Sequence, residues 1–376
     1  MSTVTTVAER RAAAVEGFDA QGLPHRRVED WKYTDLKRIL TPEAVKDAVP
    51  ASWQIGDLPD GVELFDLAHD PVPDWVAHHF GVLGADSALA KASLGFVRTG
   101  FALRVDAGVR AGTIRVQIFG DGALRALVLV EADASLHIAE TALGDTTSLR
   151  NVGIEFLACP GAEIAHWRLN EQAPKAVTYE NVEVLLKRGA RFTGHYANFG
   201  AKASRTDVHV LLDEPDAEVN ISGVSVLGGT DHADVTTHIE HKAAGRSNQL
   251  FKYIAGGKAR AVYQGRISVQ KGADGTDSRQ TARAILLSER AEADLKPELL
   301  IFADDVKCAH GAAIGDLDAD ALFYLRSRGL SETEARDMLI RAFLAEAVET
   351  IACDTMRADI EQAVEAALPR AMETVA

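Results

Sequence analysis

Between about residues 96 and 316, apolar and polar side chains alternate with a period of two. Gly, Asp and Asn interrupt the runs, which predicts many short strands joined by turns. Val182-Glu183-Val184-Leu185-Leu186 and Val208-His209-Val210-Leu211-Leu212 show the pattern. Within it a turn of the form Ala-x-apolar recurs at Ala134-Ser135-Leu136, Ala162-Glu163-Ile164, Ala190-Arg191-Phe192 and Ala217-Glu218-Val219, a nearly constant step of about 28 residues. Looser copies at Ala259 and Ala293 follow at wider spacing, leaving room for insertions. Each unit holds roughly two strands and a tight turn, and so small a unit cannot bury its apolar face alone. Units of this kind stack, and the regular step favours a mainly β solenoid over a sandwich or jelly roll, which also use many short strands.

The flanks follow a helical period. Thr5 to Phe18 is rich in Ala, Glu and Arg and is broken by Gly22 and Pro24; Asp30-Trp31-Lys32-Tyr33-Thr34-Asp35-Leu36 opens a second short segment with Trp31 and Tyr33 packing inward. Pro50, Pro59, Pro71 and Pro73 then divide short apolar groups, and His78-His79 reads as a surface pair without a role. Beyond Gly315 a helix is expected over Asp318 to Ser327. A break at Gly329 and a capping box at Ser331-Glu332-Thr333-Glu334 open a long helix to about Ile351. Its apolar face reads as Ala335, Met338, Leu339, Ala342, Phe343, Ala347 and Val348, and a last helix from about Thr355 stops at Pro369. The chain thus divides into an N-terminal helical and irregular region over 1–95, a β-helix core over 96–316 and a C-terminal helical domain over 317–376.

At 376 residues with 47% hydrophobic content the chain can bury a large core. Its 40 basic against 55 acidic residues, without a basic run, argue against a nucleic-acid footprint. Cys159, Cys308 and Cys353 are odd in number and far apart, which suits a reducing interior rather than a disulfide framework. With no apolar leader and no long uncharged run, the expectation is a cytoplasmic protein without a membrane span.

Candidate chemistry is sparse. There is no GxGxxG, GxSxG or GxxxxGK[ST], so nucleotide hydrolysis by this chain is not expected. In Asp304-Asp305-Val306-Lys307-Cys308-Ala309-His310-Gly311-Ala312, an extended strand places Cys308 and His310 on one face, a soft sulfur beside an imidazole. That is half of a four-ligand metal site, with no CxxC, HxH or HExxH nearby to complete it; Cys308 as a small core residue and His310 as a turn residue is the commoner arrangement. His232, Asp234, His238 and Glu240 share a face if their run is one strand, and a solvated face is the simpler reading of that row. His166, His195 and His209 read as structural, and neither Cys159 nor Cys353 has a basic neighbour to activate its thiol.

Arg27-Val28-Glu29-Asp30-Trp31-Lys32-Tyr33-Thr34-Asp35-Leu36, Ser247-x-Gln249-x-x-Lys252 and the run from Pro297 through Leu330 resemble the SufB/SufD family of iron–sulfur cluster assembly scaffolds, its SufD branch in particular. Tyr263-Gln264-Gly265 departs from the more usual Phe-x-Gly of that family. The resemblance implies a right-handed parallel β-helix with a C-terminal helical domain, acting as a non-catalytic scaffold with a SufB paralogue and the SufC ATPase. It also implies that His310 and Cys308 are candidate ligands, shared with SufB, for iron or a nascent cluster that this chain does not hold stably alone. By the same analogy the C-terminal helices dock the ATPase, with Tyr324, Arg326 and Arg328 as the partner-binding residues, and a homodimer is expected when SufB is missing. Two rivals remain: a SufB-type cluster-carrying subunit, and a carbohydrate-active β-helix enzyme using a carboxylate pair, for which Asp304-Asp305 is the one candidate.

Overall fold

The computed structural model describes residues 6–69, 71–83, 87–97, 99–143 and 149–373. The chain begins with α1 (Val7–Gln21), α2 (Pro42–Lys46), α3 (Asp74–His79) and α4 (Ala88–Phe96), between which lie the short strands β1 (Ser52–Ile55) and β2 (Val62–Asp66). Thr6 opens α1 with a capping box to Glu9; Thr5, where the sequence pattern starts that helix, lies outside the described residues. Sixteen strands follow: β3 (Gly100–Val105), β4 (Arg110–Phe119), β5 (Gly122–Val130), β6 (Ser135–Leu143), β7 (Leu149–Ala158), β8 (Glu163–Gln172), β9 (Val177–Leu186), β10 (Arg191–Gly200), β11 (Ala203–Leu212), β12 (Ala217–Leu227), β13 (His232–His241), β14 (Gly245–Ala255), β15 (Arg260–Val269), β16 (Asp277–Leu286), β17 (Glu292–Ile301) and β18 (Lys307–Gly315). The chain closes with α5 (Ala319–Ser327), α6 (Glu332–Val348) and α7 (Asp354–Met372).

Two nine-stranded sheets take alternate strands: β1 and the even strands from β4 to β18 in one, β2 and the odd strands from β3 to β17 in the other. Apart from the antiparallel pairs β1–β4 and β2–β3, every ladder is parallel. This is the stacked-coil solenoid that the repeat predicts. Its step is set at the corners, where Asp133, Gly161, Gly189 and Asp216 take positive φ and each is followed by a fully buried alanine: Ala134, Ala162, Ala190 or Ala217. Only a small side chain fits where successive coils pack so closely at a corner.

Ala259 and Ala293 do not extend this column. Ala259 leads into β15 and Ala293 lies within β17, both in the other sheet. The register continues through Gly245, the partner of Ala217, so the wider spacing of the last two copies comes from reading two sheets as one.

The lumen between the sheets is apolar along much of its length, from Leu103 and Ile114 to Ile267 and Val269. On the outside, α6 and α7 cover the first sheet through Ile340, Leu344, Val348, Ile360, Val364 and Leu368, packed on Trp167, Leu169, Phe199 and Val226. Of the face expected for α6, Ala335, Ala347 and Val348 are buried and Phe343 packs beside them, but Met338 is 49% exposed and Ala342 faces solvent, while Ile340 and Leu344 go inward. Nor does α7 stop at Pro369, since it runs on to Met372. Its last turn is held because Leu368 and Ala371 are buried and the backbone of Arg370 and Ala371 rests on Gly228 and Gly256, where any Cβ would overlap it. Among the described residues no helix is long and apolar enough to cross a membrane.

The second sheet is covered by the N-terminal region. Trp31 is buried, with the Arg205 guanidinium 3.9 Å from its ring centre and Tyr179 alongside, whereas Tyr33 is only half-buried.

Candidate functional site

Cys308 and His310 lie on β18, the last strand of its sheet, hydrogen-bonded on one side only, to β16. The register fixes where they point. Cys308 pairs with Ser278, which pairs with Ser247; His310 pairs with Gln280, which pairs with Gln249. Those serines and glutamines are buried in the lumen, while the intervening Arg246, Asn248 and Arg279 are exposed on the outer face. Cys308 and His310 thus end two inward-facing columns, at the open mouth of the solenoid. Cys308 is half-buried and packs on the lumen core with Leu295 and Leu299 of β17; His310 is exposed. The shared face expected from the sequence is present.

The mouth is apolar around its rim, with Leu300 44%, Ile301 40%, Phe302 62% and Ile314 48% exposed. Burial, then the Asp277 carboxylate, pushes the Cys308 thiol up, so it stays protonated at neutral pH. Among the described residues no three His, Cys, Asp or Glu side chains come close enough to hold a metal ion. Cys308 and His310 stand as two candidate ligand side chains on one face of β18.

Asp304 and Asp305 lie in the bend before β18, not on a strand, and both donate their backbone N–H to Asp274 Oδ1, at 3.1 and 3.2 Å. They shape a turn, and of the two only Asp305 lines the neighbouring cleft of about 410 Å³, beside Asp216, Arg246 and Asp277. Tyr324 and Arg326 lie on α5 and Arg328 caps its C-terminus; all three are exposed. Helix α5 buries no residue, shows Phe323 at 75% and Tyr324 at 61% exposure, and Arg326 pairs with Glu332 at 3.6 Å.

The row on β13 is not a solvated face. The segment 29–36 lies over it: Thr34 Oγ1 hydrogen-bonds His232 and donates to Asp234, and Arg205 pairs with Asp234 at 2.9 Å. Beside this contact a cleft of about 570 Å³ runs between Pro24, Val28 and Trp31 and the strand residues Asp207, His209 and His238. The His209 and His238 rings stack at 4.8 Å. Burial holds His238 down at about 4, and burial pushes Asp207 up to about 6 against the pull of Arg205. Sequence reading also missed a charged cluster inside the lumen, in which Arg168 bridges Glu140 and Glu180 and His166 bonds Glu140 at 2.9 Å. Its only sequence signal is the charge at inward positions of otherwise apolar strands.

The SufBD core-domain model of the SUF system for iron–sulfur cluster assembly matches residues 121–343, and the SufBD N-terminal-region model matches residues 2–55. The chain is 32% identical over 251 residues to an iron–sulfur cluster assembly SufBD family protein of Synechocystis sp., covering 64% of this chain and 55% of the relative. It is 30% identical over 239 residues to the iron–sulfur cluster assembly protein SufD of Escherichia coli, covering 63% and 56% respectively. To the chloroplastic protein ABCI7 of Arabidopsis thaliana it is 32% identical over 231 residues, covering 60% and 48%. The chain spans about half the length of the curated relatives it matches. With a core-domain match over more than half its length, a solenoid of the expected build and SufD among its relatives, the chain belongs to the SufBD family of SUF-system iron–sulfur cluster assembly proteins.

Proposed function

We propose that this chain is the SufD-type scaffold subunit of a SufB–SufC–SufD-like complex, working without catalysis of its own. The observation that carries the reading is the open final coil. Strands β17 and β18 are both sheet edges, rimmed by exposed Leu300, Ile301, Phe302 and Ile314, and they present His310 and Cys308 at the mouth. Unpaired edges of this kind pair with a second solenoid. The occupant proposed is a SufB paralogue, or a second copy of this chain in isolation. His310 then supplies one ligand to iron or nascent cluster, which is cargo at a shared site, with Cys308 the weaker candidate because its thiol is harder to ionise. The three regions 1–95, 96–316 and 317–376 become a cover, a scaffold and a docking unit, with Tyr324, Arg326 and Arg328 on the face offered to the ATPase.

The test is co-purification with a SufB-type partner and the ATPase, wild type against His310→Ala, followed by anaerobic iron and sulfide content. Normal assembly with lost iron is expected. Failed assembly, or unchanged iron, would show that His310 is structural.

A further inference from the structure

Directly under His310 the lumen changes character. In the inward column that ends at His310, the positions deeper in the solenoid are Ile138, His166, Gly194 and Ile221, and then come two stacked glutamines, Gln249 and Gln280. Both are about 1% exposed. Burying an amide is costly unless its groups are bonded, and here the bonds form a directed chain. Gln280 Nε2 donates to the Gly265 carbonyl at 3.0 Å, across the lumen. Gln280 Oε1 accepts from Gln249 Nε2 at 3.2 Å, and Gln249 Oε1 accepts from Thr237 Oγ1 at 2.6 Å and from the Tyr263 hydroxyl at 3.2 Å.

A backbone carbonyl can only accept, so Gly265 fixes which end of the Gln280 amide is nitrogen, and the rest of the chain follows. Gly265 has to be glycine for this, because an added Cβ would lie 2.8 Å from Gln280 Cδ and overlap the Tyr263 hydroxyl. The phenol of Tyr263 closes the inner end of the layer. The layer ends at Ile221 and is no passage; it is a platform one coil below the mouth.

We propose that Gln280 is a positioning residue for His310: its Oε1 uses the remaining lone pair to accept the imidazole N–H, leaving the other ring nitrogen unprotonated and turned to the mouth. A ligating histidine is commonly held this way, with the second nitrogen bonded to an oxygen that fixes tautomer and ring orientation. The adjacent register of Gln280 and His310, their shared face and the fixed amide together carry the assignment. It rests on the proposed role of His310 only for what the free nitrogen binds.

The experiment reads the tautomer first. The full chain with ¹⁵N-labelled histidine is studied by NMR at a pH where His310 is neutral, its signals assigned by their loss in His310→Ala. One tautomer is expected in the wild type and in Gln280→Glu, which keeps an acceptor oxygen. A mixture is expected in Gln280→Leu and in Gln280→Asn, which is a methylene short and serves if the leucine variant fails to fold. Ferrous iron binding by the anaerobic complex should weaken about 10-fold or more in Leu and Asn and be kept in Glu. An unchanged tautomer in Leu and Asn, or a mixture in the wild type, overturns the proposal. Should the tautomer respond as expected while His310→Ala leaves iron content unchanged, the positioning stands and the ligand role of His310 falls.

Discussion

His195 and His241 are about 1% and 0% exposed, and burial holds them down at about 3 and about 4, from an ordinary 6.5. Each is kept neutral by the fold. His195 Nδ1 bonds Ser222 Oγ at 2.8 Å beneath the end of α6, and His241 Nε2 bonds Ser247 Oγ at 3.0 Å inside the lumen. When the pH falls through 6.5, the unfolded chain gains protons at these sites and the folded chain does not, so stability present above 6.5 is lost on acidification. From pH 7.5 to 5 each imidazole costs about 2 kcal/mol, from the linkage between a folded pKa of 4 or below and an unfolded one of 6.5. Leucine at either site removes the titration and leaves no hydroxyl unpaired, since Ser222 also bonds Thr350 and Ser247 also bonds Ser278. Urea unfolding followed by circular dichroism at pH 7.5 and 5.0 gives the comparison. The difference between the two pH values should shrink by about 2 kcal/mol in His195→Leu or His241→Leu, and by about 4 in the double variant. Asp207 works in the opposite sense: its folded pKa of about 6 favours the fold as pH drops, and it cancels between wild type and variant. Variants with the wild-type pH slope would refute the reasoning.

Two further outcomes are expected. Gly256→Ala should destabilise by about 1–3 kcal/mol through overlap with the Ala371 carbonyl, seen as a lower melting temperature and faster protease cleavage near the end of α7. Phe302→Asp with Ile314→Asp should abolish pairing at the mouth in light scattering and co-purification, with the melting temperature unchanged because both side chains are already exposed.

The coil repeat was legible because close packing at the corners restricts them to alanine after a residue able to take positive φ, and such a column prints itself on the chain once per coil at a nearly constant interval. The second sheet blurred the signal at Ala259 and Ala293, since two interleaved columns share one sequence. Alternation alone placed Cys308 and His310 on a common face but could not say which face; that came from Gln280 and Ser278 beneath them. The row His232 to Glu240 was misread as solvated because its cover, Thr34, lies far earlier in the chain. Pro369 misled for a similar reason: the contacts that hold the final turn of α7 are made to Gly228 and Gly256.

The two ends of the solenoid are unlike. At one, the edges are the short strands β1 and β2, of four and five residues, antiparallel to their neighbours, which offer a further coil little to pair with. At the other, β17 and β18 end in full-length open edges. A body with one adhesive end can join one other and then stop. Polymerisation needs two such ends per molecule, so under the pairing proposed for the mouth this asymmetry favours a closed pair over a growing stack.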